Sequence, residues 1–240
     1  MKRKIALVFG GSRGIGAACV ETLVRDGFDV AYTYVTTAPD SRPAEGGAQV
    51  TAYQAEISDA AAVTRVFDAV EADFGTAPDC VVLSSGINMP PKPVSEVDPE
   101  DFGALVAVNL VGAFNVLREA GRRVRDNGSI VAITTSFVRH APAGFGPYCA
   151  TKAAVESLVR AMSKELASRG VRVNAVAPGP VDTELFRAGK TAEAVSRSAA
   201  MSPFNRVGQP AEVAEVVGFL ASGKASWIHG QIVQPNGGLI

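Results

Sequence analysis

Tyr148 and Lys152, in the run Tyr148-Cys-Ala-Thr-Lys152, are the side chains whose types and spacing best suit chemistry. A spacing of four puts both on one face of a helix. A free phenol titrates near ~10. A neighbouring ammonium favours the phenolate and lowers that value, which would make the tyrosine a usable acid and base beside a carbonyl or alcohol oxygen. A second device lies near the N-terminus, where Phe9-Gly-Gly-Ser-Arg-Gly-Ile-Gly16 sets glycines at 10, 14 and 16. Such a turn, between an apolar strand and an amphipathic helix, lets the backbone approach a pyrophosphate and aims helix N–H groups at its charge. Taken singly, each has a bland explanation. A tyrosine and lysine four apart are usually an aromatic with a snorkelling cation, and turns collect glycine for backbone reasons. Their context along the chain decides between the two.

Positioning these residues falls to a regular succession of elements. Short apolar runs alternate with helical periodicity, which predicts an α/β chain with a parallel sheet covered on both faces. The expected strands are Ile5–Phe9, Asp29–Tyr34, Val50–Gln54, Cys80–Leu83, Ile130–Thr134, Val171–Val176 and Ile232–Gln234. The expected helices are Ala17–Arg25, Ala60–Phe74, Phe102–Arg125, Ala150–Ser168 and Ala211–Ala221, with Asp59 capping the second and Gly170 closing the fourth. Pro39, Pro43, Gly46 and Gly47 leave only a short helix, or none, between strands two and three. No linker divides the 240 residues, so they read as one doubly wound Rossmann-type domain, 1–240, with seven strands.

Composition narrows the partners. With 23 basic and 24 acidic residues, nothing marks a nucleic-acid or anionic-membrane surface. The apolar run after Met1-Lys-Arg-Lys breaks at Gly10, too early for a signal peptide, which predicts a cytoplasmic protein. Cys19, Cys80 and Cys149, with only His140 and His229, give neither a disulfide framework nor a metal-ligand spacing.

The motifs together resemble the short-chain dehydrogenase/reductase family over nearly the whole chain, and its 3-oxoacyl-[acyl-carrier-protein] reductase-like ketoreductases in particular. The resemblance rests on Gly10-Gly-Ser-Arg-Gly-Ile-Gly16, Val108-Asn-Leu, Tyr148 to Lys152, Asn174-Ala-Val-Ala-Pro-Gly179, Arg206-Val-Gly-Gln-Pro210 and Gly237-Gly238. It implies that Tyr148 protonates the alkoxide as hydride arrives, that Lys152 holds the nicotinamide ribose, and that Asn109 anchors a water in a proton relay. It also implies that Gly10, Ser12, Arg13, Gly14, Ile15 and Gly16 hold the pyrophosphate. Glu56 and Ile57 would face the adenine, Ser84 and Gly86 the ribose. The Pro178-Gly179 turn would close over the nicotinamide, with Val181 and Thr183 meeting its carboxamide or the phosphates.

Several positions depart from the family pattern. Asn-Asn-Ala-Gly after strand four becomes Leu83-Ser84-Ser85-Gly86, and the final Asp-Gly-Gly becomes Asn236-Gly-Gly238, a change expected to touch subunit packing. The usual catalytic serine is replaced by Thr135, thirteen residues before Tyr148, with Ser136 beside it as the alternative. In an extended segment only one of the two would face the substrate.

The end of strand two reads Tyr34-Val-Thr-Thr37 with no carboxylate before Asp40. That favours NADP(H), with Arg13, Thr36, Thr37 or Arg42 meeting the 2′-phosphate, and leaves NAD(H) as the alternative. The substrate side is expected from Phe137–Pro147 and a lid at about 184–205, where Phe137, Val138, Phe145, Phe186, Met201 and Phe204 are apolar and Arg139 and His140 are polar. Arg122, Arg123, Arg125 and Arg169 either dock an acidic acyl carrier protein or complement helix dipoles. The resemblance further implies a homotetramer built on the two long helices and the C-terminal strand. Three activities fit: reduction of a ketone or acyl thioester, oxidation of an alcohol or sugar, and dinucleotide sensing without catalysis.

Overall fold

The computed structural model describes residues 3–36 and 47–240. Thr37, Asp40, Arg42 and most of the segment expected to replace a helix after strand two lie outside the described residues. Seven strands form one sheet in the order β3-β2-β1-β4-β5-β6-β7. They are β1 Lys4–Phe9, β2 Phe28–Tyr34, β3 Val50–Gln54, β4 Cys80–Leu83, β5 Ser129–Ile133, β6 Arg172–Val176 and β7 Ile232–Val233, and every pairing is parallel. Chain order reverses between β1 and β4, and in open parallel sheets the crevice beyond the strand ends at such a point is where ligands bind.

Both faces are packed. Alternate residues of the inner strands supply each layer, so Leu7, Phe9, Val81 and Ile130 pack under α2 (Ala60–Phe74), α4 (Ala113–Arg123) and α6 (Gly146–Glu165). Ala6, Val8, Val82 and Val131 pack under α1 (Gly14–Arg25) and α9 (Pro210–Ala221). Phe67 of α2 rests on Phe9 of β1 with ring centroids 5.8 Å apart. Asp59 caps α2 by accepting from the Ala61 N–H, as its sequence position predicted. Gly170 adopts φ +66°, but it closes a 3-10 turn, Ala167–Arg169, that follows the end of α6.

The helix expected over Phe102–Arg125 is interrupted. It begins as α3 (Pro99–Val106), capped by Asp98, widens into a π segment over Ala107–Gly112 and resumes as α4. Within this segment the Asn109 side chain pairs with both the N–H and the carbonyl of Ile87. Such bulges are uncommon and concentrate at functional sites. Three short helices escaped periodicity altogether: α5 (Phe137–His140), α7 (Glu184–Arg187) and α8 (Ala192–Ala200), the last two inside the expected lid.

The start of α1 lies tightly on the turn before it. A Cβ at Gly16 would stand 2.0 Å from the Gly10 carbonyl oxygen. Gly103, on the exposed side of α3, has nothing within 4 Å of its missing Cβ. Gly16→Ala should therefore cost about 2 kcal/mol or more and lower the melting temperature by about 4–8 °C. Gly103→Ala should leave it unchanged or raise it. Calorimetric melting of the two variants checks the contrast, and equal behaviour would contradict this packing.

Candidate active site

The C-terminal ends of β1, β4, β5 and β6 converge on one crevice. After β1, Gly10 (φ +79°) and Gly14 (φ +55°) adopt backbone conformations that favour glycine, and a Cβ at Gly10 would stand 2.8 Å from the Ser85 N. Arg13 occupies the N-cap of α1 without a side-chain hydrogen bond to the first turn, and that turn holds no acid. This end of the helix thus presents backbone donors and a positive dipole to a ligand. The cradle fits a dinucleotide pyrophosphate, since at Gly10, Gly14 and Gly16 a side chain would strain the turn or collide with its neighbours.

The catalytic candidates are assembled beside it. The Lys152 ammonium is buried and donates to the Ile133 carbonyl oxygen at 3.1 Å. Asn109 accepts from the Ile87 N–H at 2.8 Å and donates to the Ile87 carbonyl at 2.9 Å. A Cβ on Gly86 would meet Lys152 Nζ at 3.1 Å and Asn109 Oδ1 at 3.2 Å, so both side chains converge where the glycine after β4 leaves room. Tyr148 lies on the first turns of α6 with Lys152 one turn further on. Thr151, between them, donates to the Tyr148 carbonyl at 2.8 Å.

The electrostatics differ from the expectation that Lys152 depresses the tyrosine. Burial pushes the Tyr148 phenol above its ordinary value, with a smaller push from Cys149. Burial also pulls Lys152 from 10.5 down to about 8. Desolvation acts on both groups in this crevice and favours the protonated phenol, a proton donor.

The two candidate hydroxyls are distinguished by their bonding. Thr135 Oγ1 accepts from the Phe137 N–H at 3.2 Å, which leaves its own proton for another acceptor. Ser136 Oγ donates to the Ala177 carbonyl at 2.6 Å. The premise of an extended segment does not hold at Ser136, which has φ −60° and ψ −18° and stands at the N-cap position of α5 without a side-chain bond to it.

Other expected residues are placed as follows. Pro178 is buried and accepts from the Ser136 N–H at 2.9 Å, linking the Pro-Gly turn to the end of β5. Val181 is buried and bridges Gly208. Thr183 caps α7, and its Cγ2 would stand 3.3 Å from a Cβ on Gly14. Arg13 points towards the lid, 3.6 Å from Glu184, while Thr36 and Glu56 are exposed. Ile57 is buried against Gly112 of the π segment. Ser84 joins the loop to β1 through its N–H and the Phe9 carbonyl. Asn236 lies against Gly179, whose Cβ would be 3.0 Å from the Asn236 carbonyl oxygen, and its amide oxygen accepts from Gly238 and Leu239. Asn236 thus packs on the Pro178-Gly179 turn.

Two features had no signal in the sequence. The loop after β4 packs Pro91 against Gly144 and Val94 against Gly146, at the start of the helix that carries Tyr148. The arginine face is internally neutralised: Arg122 pairs with Glu119, Arg123 with Asp68 and Glu71, Arg125 with Asp79 and Arg169 with Asp126. Among the described residues no group of three or more His, Cys, Asp and Glu side chains could hold a metal ion.

A family model described as enoyl-(acyl carrier protein) reductase matches residues 10–240. An NADPH-dependent aldehyde reductase-like chloroplast protein of Arabidopsis thaliana is 38% identical, over 99% of this chain and 94% of its own. The acetoacetyl-CoA reductase of Shinella zoogloeoides is 34% identical over 98% of both. A short-chain dehydrogenase from Burkholderia cenocepacia, solved in complex with NADP, superposes with a TM-score of 0.90 at 31% identity, covering 98% of this chain and 97% of that one.

The lowered Lys152 has a consequence for stability. Between about pH 8 and 10.5 the unfolded chain holds this proton and the folded one releases it. The burial penalty is therefore present below pH 8 and fades as pH rises through that window. Urea unfolding of wild type and Lys152→Met should show the wild type gaining on the variant from pH 7.5 to 9.5. A constant difference would mean that the ammonium is not desolvated.

Proposed function

Because the chain belongs to the short-chain dehydrogenase/reductase family, we propose that it is an NADPH-dependent carbonyl reductase whose proton donor is Tyr148. The observation that carries this reading is the convergence of buried Lys152 and Asn109 on Gly86, one turn along α6 from a phenol that burial keeps protonated.

When bound, NADPH supplies a hydride to the carbonyl carbon. Gly10 to Gly16 hold the pyrophosphate, Lys152 the nicotinamide ribose, and the Pro178-Gly179 turn with Val181 and Thr183 the nicotinamide end. Tyr148 gives its proton to the carbonyl oxygen, Thr135 orients that oxygen by donating a hydrogen bond, and Asn109 anchors the water through which Tyr148 is reprotonated. The substrate enters between the Pro91–Val94 loop, α5 and the lid. Its class is a ketone, an acyl thioester included, in line with the acetoacetyl-CoA reductase among the relatives. Delivery on an acyl carrier protein gains nothing from the arginine face, whose charges are already paired.

The reading includes a homotetramer. Leu110, Val111, Phe114, Ala154 and Leu158 line an apolar groove of about 450 Å³ between the π segment, α4 and α6, with Val111 and Phe114 nearly half exposed. At the C-terminal end Trp227 is 98% exposed. The run Pro99–Arg123 is long and apolar enough to cross a membrane. We assign it to the core, because Leu105, Val116, Leu117 and Ala120 are buried beneath the sheet.

A screen at 340 nm over ketones, aldehydes, acyl thioesters and alcohols, with NADPH and NADH, tests activity and cofactor together. Reduction with NADPH preferred is expected, and Arg13→Ala should weaken NADPH far more than NADH, because the guanidinium meets the 2′-phosphate. Turnover of alcohols only, or equal loss with both cofactors, would contradict the respective part.

The identity of the orienting hydroxyl is tested separately. Thr135→Val should lower turnover strongly, Thr135→Ser should remain active and Ser136→Ala should be mild. The opposite pattern assigns the role to Ser136.

A further inference from the structure

The glycine turn is not self-supporting. Its first two N–H groups point back to one residue of the neighbouring strand: Gly10 N–H donates to Thr33 Oγ1 at 2.9 Å and Gly11 N–H to the Thr33 carbonyl at 3.0 Å. Thr33, one residue from the end of β2, is 1% exposed. Space explains why the contact is so close. A Cβ on Gly11 would lie 2.5 Å from Tyr32 Cβ and one on Gly10 would lie 2.8 Å from the Ser85 N, so the turn is pressed between β2 and the segment after β4.

We propose that Thr33 is a positioning residue for the dinucleotide: its hydroxyl fixes the direction of the Gly10 peptide and thereby the cradle that receives the pyrophosphate. This rests on the reading of the crevice as a dinucleotide site. Consecutive peptides in a tight turn are coupled, so holding Gly10 and Gly11 towards β2 sets which way the next ones face at the start of α1. Without the hydroxyl, the Gly10 N–H loses its acceptor and a group that faces protein on both sides is left unpaired, at a cost comparable to a lost hydrogen bond. The turn recovers by rotating that peptide towards the crevice, where it disturbs the donors meant for phosphate. The pyrophosphate is common to NADPH and NADH, so both must weaken by one factor. That separates Thr33 from any residue that reads the 2′-phosphate.

The test is calorimetric titration of NADPH and of NADH into wild type, Thr33→Val and Thr33→Ser, with the melting temperature of each free protein. Thr33→Val keeps the shape and removes the acceptor, and the dissociation constants of both dinucleotides should rise about tenfold, the equivalent of about 1.4 kcal/mol. Thr33→Ser, which keeps the hydroxyl, should bind both within about twofold of wild type. If Thr33→Val does not fold, Thr33→Ala removes the same acceptor without a new methyl and is read in the same way. A melting temperature that falls while both dissociation constants stay at the wild-type value would overturn the proposal, as would loss confined to NADPH or failure of serine to rescue. Wild type that binds neither dinucleotide would instead sink the reading of the site itself.

Discussion

Burying the Lys152 ammonium is the constraint on which this active site depends. A cation taken out of water needs compensation, and the fold supplies it through the Ile133 carbonyl at the end of β5, in a space that exists because Gly86 after β4 carries no side chain. The chain after β4 must pass without a side chain, and Asn109, within the π segment, pairs its amide with Ile87 on the other side of Gly86. The desolvation that lowers Lys152 to about 8 also raises Tyr148, so the same kind of burial acts on both groups.

Legibility in the sequence follows the range of the interactions. The tyrosine and lysine lie one turn apart on one helix, and the glycines lie within one turn, so type and spacing exposed both. The strands and longer helices were also legible, because parallel sheets bury both faces and their apolar runs are continuous. The π segment was not, since the apolar periodicity runs through it unbroken and the partner of its Asn109 lies 22 residues away. Thr33 carries no motif, and its role lies in a contact 23 residues distant. The short helices α5, α7 and α8 span four to nine residues, too few for a period to register.

Charge was the least legible property. Arg122, Arg123, Arg125 and Arg169 look in sequence like a free basic face, yet the acids that pair with them come largely from other elements, Asp68 and Glu71 from α2 and Asp79 from the turn before β4. Arg13, by contrast, is bound only lightly: it and Glu184 are each more than 70% exposed, and such a pair contributes about 0–1 kcal/mol. A 2′-phosphate can take that guanidinium from the lid at little cost. The expected cofactor contact and the observed ion pair are therefore compatible.

The central claim is that Tyr148 donates the proton, and the most direct measurement is the turnover of Tyr148→Phe beside its affinity for NADPH. The account predicts that turnover falls by at least about a hundredfold, the scale of a general acid, while the NADPH dissociation constant stays within about twofold of wild type. Near-normal turnover in that variant would contradict it.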